Sequence, residues 1–216
     1  MDCTKVDEVL DDLGAAQGLS TLNDKYKLPT TSEEQVKRCQ EMSEALKTLR
    51  KYNKECFSSL TQQVLSAILR TRGQSNEAHC KDSSSAEFKE ALEASQCVSS
   101  NALESVREAE KAIVLSLQVL HEANIPDDKL RVRLACCAVL DAKKIFINAT
   151  KDKCSKYEKA YGDYVDSFTS ESMGLICPET DKLECSKLEP IKSAGATPKT
   201  RFFLVPMVKL VKTIDH

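Results

Sequence analysis

Ten cysteines in a chain of 216 residues constrain the fold more than any other feature of this sequence. Their number is even, their spacing is broad and no CxxC motif occurs, which favours disulfides over a zinc or thioredoxin-type site. Five disulfides would indicate an oxidising compartment, and a cytosolic protein with free thiols is the alternative. The expected bridges involve Cys3, Cys39, Cys56, Cys80, Cys97, Cys136, Cys137, Cys154, Cys177 and Cys185.

Geometry limits how these cysteines can pair. Cys136 and Cys137 are neighbours on a predicted helix, where successive side chains diverge by about 100°, so we expect each to bond to a different element. Cys39 and Cys56 lie on another predicted helix, separated by about 25 Å of helical rise, and therefore cannot bond to each other.

The balance of charge and hydropathy bears on partners. The formal net charge is −2 and the isoelectric point is near 6.0. Nucleic-acid binding needs a basic surface, so we expect no nucleic-acid partner. No apolar run reaches the length of about 18 residues that a membrane span requires.

Two local features bear on localisation, which we expect to be secreted and extracellular. The sequence opens Met1-Asp2-Cys3 without an apolar h-region, so we expect no signal peptide and a mature chain with an added or retained Met. The one N-glycosylation sequon, Asn148-Ala149-Thr150, fits secretion, and Asn148 is the candidate glycosylation site.

Apolar residues recur at spacings of three and four, which predicts an all-α fold. We expect a disulfide-stapled bundle of about six helices over residues 1–176. Residues 177–216 then form a polar loop, tied by Cys177 and Cys185, and an apolar C-terminal tail. The predicted helical segments span approximately 3–16, 31–56, 59–73, 83–97, 100–123, 127–147 and 151–175.

Two of these segments are predicted to be central. Residues 112–120 are almost wholly apolar, as is the middle of the segment that follows Pro126, and a helix apolar on all sides is a buried one. The last segment, 151–175, presents a face of aromatic side chains, which either packs in the core or forms a ligand platform.

The apolar tail, residues 202–211 from Phe202 to Val211, has several interpretations. It follows Ser193-Ala194-Gly195-Ala196 and a short spacer, as in a GPI-anchor signal, but Lys209 and Lys212 interrupt it. Packing on the bundle, contact with a membrane surface or a homo-oligomer partner, and a decayed anchor signal remain open.

No catalytic constellation is present in the sequence. GxSxG, HExxH, P-loop and GxGxxG motifs are all missing. His79 next to Cys80 is the one adjacency of histidine and cysteine, and a surface histidine beside a disulfide explains it better than a nucleophile with its base. We therefore predict that the protein is not an enzyme and holds no metal and no cofactor.

Several short elements resemble a family of small secreted arthropod proteins that are helical, rich in cysteine and mostly uncharacterised. The likeness covers most of residues 3–185 and lies in Pro29-Thr30-Thr31-Ser32-Glu33-Glu34, Cys39, Glu44-Ala45, Tyr52, Cys56-Phe57, Leu60-Thr61-Gln62-Gln63-Val64, Leu134-Ala135-Cys136-Cys137-Ala138 and Gly174-Leu175-Ile176-Cys177. The family pattern has further cysteines near Leu10, Thr48, Ala109 and Ile145, and all four are missing from this sequence. Loss of whole disulfides would remove an even number of cysteines, so the remaining ones can still pair. The resemblance implies secretion and a stapled helical fold, and some relatives have been proposed as carriers of small apolar molecules.

The sequence leads to one main hypothesis for function and one alternative. The protein is an extracellular carrier of a small apolar ligand such as a lipid, hormone, odorant or pigment, or it is a structural or interaction component of a secretion, silk, cuticle or haemolymph. Ligand pockets in bundles form between facing helices, although a densely packed core is the alternative at this place. The predicted ligand site comprises Ile113, Leu117, Leu134, Val139, Tyr161, Tyr164 and Phe168.

Overall fold

The computed structural model describes residues 2–16, 27–57, 59–123, 125–177, 183–187 and 196–214. Within these ranges the chain is all-α with no strand, as predicted, and forms eight α-helices. They are α1 (Val6–Ala16), α2 (Ser32–Cys56), α3 (Ser59–Cys80), α4 (Ala86–Cys97), α5 (Leu103–Glu122), α6 (Asp128–Cys154), α7 (Glu158–Ile176) and α8 (Leu204–Ile214). A π-helical turn, Val98–Ala102, joins α4 to α5.

Side-chain caps fix where the helices begin. Thr31 accepts from the backbone N–H of Glu34, whose carboxylate accepts in return from the backbone N–H of Thr31, so α2 opens with a capping box. Ser85 caps α4 by accepting from Phe88, at 3.1 Å, and Asp127 caps α6. These three starts agree with the sequence pattern.

Helix α3 continues to Cys80, so the predicted end near Gly73 is wrong. A glycine inside a helix costs about 1 kcal/mol relative to alanine but does not end it. At Gly73 the space of a Cβ is taken by the guanidinium of Arg50, which reaches across from α2 and donates to the carbonyl of Leu69 at 3.3 Å. The glycine therefore leaves room for the Arg50 side chain between α2 and α3.

The boundary between the last two predicted segments also differs. Helix α6 runs to Cys154 without a break at 147, and α7 begins at Glu158 after a 3-10 turn, Ser155–Tyr157. The hydroxyl of Thr150 donates to the carbonyl of Ile147 within the same helix, at 3.0 Å, and does not cap a new one. No glycine or proline interrupts this stretch, so the helix continues.

All ten cysteines are paired. The bridges are Cys3–Cys56, Cys39–Cys80, Cys97–Cys154, Cys136–Cys177 and Cys137–Cys185. The two adjacent cysteines bond to different partners, and Cys39 and Cys56 belong to different bridges, as predicted. Five disulfides are typical of extracellular proteins.

The connectivity divides the chain into two covalently closed parts. Two bridges lie within residues 3–80, which we call the N-terminal block, and three lie within residues 97–185, the C-terminal block. No bridge joins one block to the other. Packing of α3 on α7 is the most extensive contact between them.

The apolar tail forms α8, which lies in the core between the two blocks. It contacts α1 and α3 of the N-terminal block and α5 and α6 of the C-terminal block. Lys209, which interrupts the apolar pattern, pairs with Asp7 of α1 at 2.8 Å. The tail is thus a helix of the bundle, and its packing crosses the predicted division at residue 176. Its buried residues are Phe202, Leu204, Val205, Met207, Val208, Leu210 and Val211.

The burial of α8 changes which helices are central. Ala112 of α5 is exposed, and Leu130 of α6 is 37% exposed, so neither predicted central helix is enclosed on all sides. Helix α8 is more completely buried than either, since Lys212 is its one exposed residue among those from Leu204 to Thr213. Among the described helices, none is long and apolar enough to cross a membrane.

Candidate functional site

A small cavity lies where the sequence predicted a ligand site, between α5, α6 and α7. Five of the seven predicted residues line it, and Phe203 and Met207 from the C-terminal region close it. Its volume is about 60 Å³, which is room for about two water molecules at about 30 Å³ each. The predicted residues that line it are Ile113, Leu117, Val139, Tyr164 and Phe168.

The other two predicted residues lie elsewhere. Leu134 is half-buried and packs against the main core. Tyr161 lines a second cavity, and its hydroxyl donates to the carbonyl of Ala94 at 3.0 Å. Burial, together with the neighbouring Tyr157, raises the pKa of Tyr161 above its ordinary value, so its proton is held for this hydrogen bond.

The second cavity has a volume of about 160 Å³ and lies between the two blocks, so we call it the interblock cavity. Helices α2 and α3 form one wall, and α4, the π-helical turn, α5, α6 and α7 form the other. An apolar cavity of about 150 Å³ suffices to bind benzene. Its apolar and aromatic lining includes Met42, Val98, Val106, Phe146, Tyr161 and Tyr164.

Two aromatic rings separate the interblock cavity from the small one. Phe146 of α6 and Tyr164 of α7 stack with ring centroids 5.6 Å apart, and both residues line both cavities. This pair therefore forms the boundary between the two spaces.

A buried arginine is the most unusual group in the interblock cavity. Arg72 of α3 is 6% exposed, and its guanidinium lies over the rings of Phe168 and Tyr164, at 4.5 and 5.1 Å from their centroids. Its Nη1 donates to Ser167 Oγ at 2.8 Å. Within the described part of the chain, no carboxylate lies within 4.0 Å of it.

Burial lowers the pKa of Arg72 to about 10, and repulsion from Arg38 adds to this while Tyr164 acts in the opposite direction. The guanidinium therefore still carries its charge at neutral pH. A charge removed from water without a partner is costly, so the position of Arg72 calls for an explanation.

Three polar atoms of this cavity's lining residues are buried without a hydrogen-bond partner among the described residues. They are Gln35 Oε1, Arg72 Nε and Ser95 Oγ, whose residues are 5%, 6% and 7% exposed. Leaving a buried polar atom unpaired costs about 1–3 kcal/mol. The site thus combines an apolar body with a cluster of unpaired polar groups.

The polar residues of this site were not recognised in the sequence, although their spacing carries the signal. Gln35 precedes Cys39 by four positions on the buried face of α2, whereas its apolar neighbour Val36 is 39% exposed. Arg72 follows Ile68 by four positions on α3. Because the sequence predicted the end of α3 at Gly73, Arg72 was expected at a helix terminus and not on the buried face.

The other candidates from the sequence are the metal-ligating residue types, His79 beside Cys80, and the glycosylation site at Asn148. In the described ranges, no cluster of three or more His, Cys, Asp or Glu could hold a metal ion. The ring Nδ1 of His79 is 2.7 Å from the carbonyl of Ser75, and Cys80 beside it is in a disulfide. Asn148 is exposed on α6, while Thr150 of its sequon is fully buried.

Comparison of the chain with protein families, with curated proteins and with solved structures finds no match. The resemblance to small secreted arthropod proteins therefore stays a prediction.

Proposed function

We propose that the protein is an extracellular, non-enzymatic carrier of a small, largely apolar molecule, and that the interblock cavity is its binding site. The observation that carries this proposal is a largely apolar pocket of about 160 Å³ that is partly open to the surface and bordered by a few unpaired polar groups. Pockets for small molecules have this composition, with apolar walls and a few polar groups that orient the ligand.

The volume of the cavity sets the size of the ligand. A space comparable to one that holds benzene accepts a single ring or a short aliphatic chain rather than a long-chain lipid. Connection with the small cavity, by rotation of Phe146 or Tyr164, would add about 60 Å³. We therefore favour an odorant- or metabolite-sized ligand over a fatty acid or a large pigment.

The disulfides support both the extracellular setting and the role. Bridges persist in oxidising compartments, and here they hold each wall of the cavity within its own block. The bridges therefore fix the helices within each wall, while packing between the blocks sets the distance between the two walls. Secretion is part of this proposal.

The test is a pair of identical substitutions, one in each cavity. Ala94 lines the interblock cavity and Ala142 lines the small one. Ala94→Leu should fill the interblock cavity and abolish binding of benzoate and benzyl alcohol, with little loss of stability. Ala142→Leu adds more volume than the small cavity can hold, so it should lower the free energy of unfolding by about 1–3 kcal/mol through overpacking. Binding of both probes should be retained.

Isothermal titration calorimetry on the oxidised full chain measures binding, and thermal unfolding measures stability. The proposal fails if the wild type binds neither benzoate nor benzyl alcohol. It also fails if Ala94→Leu binds them as the wild type does. Either result would direct attention to the alternative role as an interaction component of a secretion.

A further inference from the structure

We propose that the interblock cavity selects a carboxylate-bearing ligand, with Arg72 and Ser95 binding the carboxylate and Gln35 accepting from a donor group elsewhere on the ligand. This inference rests on the proposed function and adds the chemical class of the ligand. It stands on the position and partners of Arg72, which a cavity for a neutral molecule does not require.

The charge of the cavity favours an anion. Arg38 and Arg72 line it against one carboxylate, that of Glu110, and no carboxylate of the described residues is within 4.0 Å of Arg72. An arginine buried to this degree is normally paired. A ligand carboxylate would supply the missing counter-charge inside the fold.

The geometry of the guanidinium leaves one edge for the ligand. Nη1 is engaged by Ser167, and the faces of the planar group are against the rings of Phe168 and Tyr164. Nε and Nη2 donate to no other residue in the described ranges. These two nitrogens form the edge that binds a carboxylate through two parallel hydrogen bonds.

The other two unpaired groups complete the recognition. Ser95 Oγ can donate to a carboxylate oxygen, whereas Gln35 Oε1 accepts only and therefore matches a hydroxyl or amine on the ligand. The apolar and aromatic walls then take a ring or short chain. The ligand that satisfies every group is a small carboxylate with an apolar body and one hydrogen-bond donor.

The experiment compares two probes of matched size, benzoate and benzyl alcohol, at one ionic strength by isothermal titration calorimetry. Hydrogen bonds to charged groups contribute about 1.5–3 kcal/mol, so benzoate should bind the wild type about 10- to 100-fold more tightly than benzyl alcohol. In Arg72→Met this preference should disappear while binding of benzyl alcohol remains.

Arg70→Met is the matched control, because Arg70 lies on the same helix, is exposed and pairs with Glu171 at 2.5 Å. It removes the same formal charge from the protein and should keep the preference for benzoate. 3-Hydroxybenzoate, whose meta hydroxyl cannot reach its own carboxylate, should bind the wild type more tightly than benzoate does, and this gain should be lost in Gln35→Leu.

The outcomes separate the two proposals. Equal affinity of the wild type for benzoate and benzyl alcohol overturns the carboxylate inference and leaves the carrier proposal standing. Absence of binding of both probes overturns the carrier proposal itself. A preference for benzoate that Arg72→Met retains, or that Arg70→Met loses, assigns the effect to the general field of the protein and rejects Arg72 as the binding group.

Discussion

At the scale of single residues, the unpaired Arg72 should lower stability, since replacing buried charges with well-packed apolar groups is often neutral or stabilising by about 1–4 kcal/mol. We expect Arg72→Met to raise the free energy of unfolding in urea. Arg70→Met, which removes an exposed ion pair, should change it by less than about 1 kcal/mol. A loss of stability in Arg72→Met would show that stacking on Phe168 and the bond to Ser167 outweigh desolvation.

His121 of α5 provides a prediction on pH. It is half-buried, and burial lowers its pKa below 6.5; Lys209 and Arg131 act in the same direction, while Glu122 and Asp7 oppose them. Between its folded and unfolded pKa values the unfolded chain binds more protons, so stability is lost as the pH falls through about 6.5 and below.

The measurement is urea unfolding of the wild type and of His121→Gln between pH 7.5 and 5.5. The variant should lose less stability than the wild type over this interval. Carboxylates titrate at a lower pH than this interval covers. Hydrogen bonding from Lys199 lowers the pKa of Glu122, so the contribution of Glu122 to stability is lost only at a still lower pH. Parallel curves for the two proteins would contradict the assignment.

The candidate site shows what residue patterns could and could not predict. Five of the seven predicted residues line the small cavity and only Tyr161 and Tyr164 line the interblock cavity, because apolar positions at spacings of three and four identify the buried face of a helix but not which helices face each other. Arg72 of α3 and Gln35 of α2 also lie on buried helix faces, but they are polar, and hydropathy alone treats them as exposed. Their role depends on which helices pack together, which one sequence does not specify.

At the scale of helices, the contact between α1 and the start of α8 depends on a glycine. Gly14 is buried against the ring of Phe202, and a Cβ at this position would overlap that ring. Gly162 and Gly174 of α7 have open space around them. The same substitution should therefore have opposite effects at these positions.

We expect Gly14→Ala to lower the free energy of unfolding by about 1–3 kcal/mol through overpacking, in spite of the better helix propensity of alanine. Gly162→Ala and Gly174→Ala should raise it by about 0.5–1 kcal/mol. Thermal unfolding of the three variants at one pH checks this. A stabilising Gly14→Ala would show that α8 does not pack on α1 as described.

Helix positions were predictable from the sequence where local chemistry determines them. The predicted starts near 31, 83 and 127 agree with the structure because capping by Thr31, Ser85 and Asp127 is local. The ends of α3 and α6 were predicted too early, at Gly73 and at 147. Whether a helix continues past a weak break such as a glycine depends on its packing, which local sequence does not show. The apolar tail was recognised as apolar, but its place between the blocks depends on contacts with four other helices.

At the scale of the whole molecule, the five bridges should contribute similarly to stability. They span 41 to 57 residues, and in the chain-entropy treatment this range changes the contribution by only about 0.3 kcal/mol. We expect the paired replacements Cys39→Ala/Cys80→Ala and Cys97→Ala/Cys154→Ala each to cost about 2–4 kcal/mol. A bridge whose removal costs far less would be one that native packing makes redundant.

The arrangement of the bridges also decides what a protease can achieve with one cut. A nick within residues 3–80 or within residues 97–185 leaves its two pieces joined by a disulfide. The segment from Lys81 to Ser84, between α3 and α4, is exposed and no bridge spans it. Cleavage there leaves no covalent bond between the two blocks, so the walls of the interblock cavity would then be held together by packing alone.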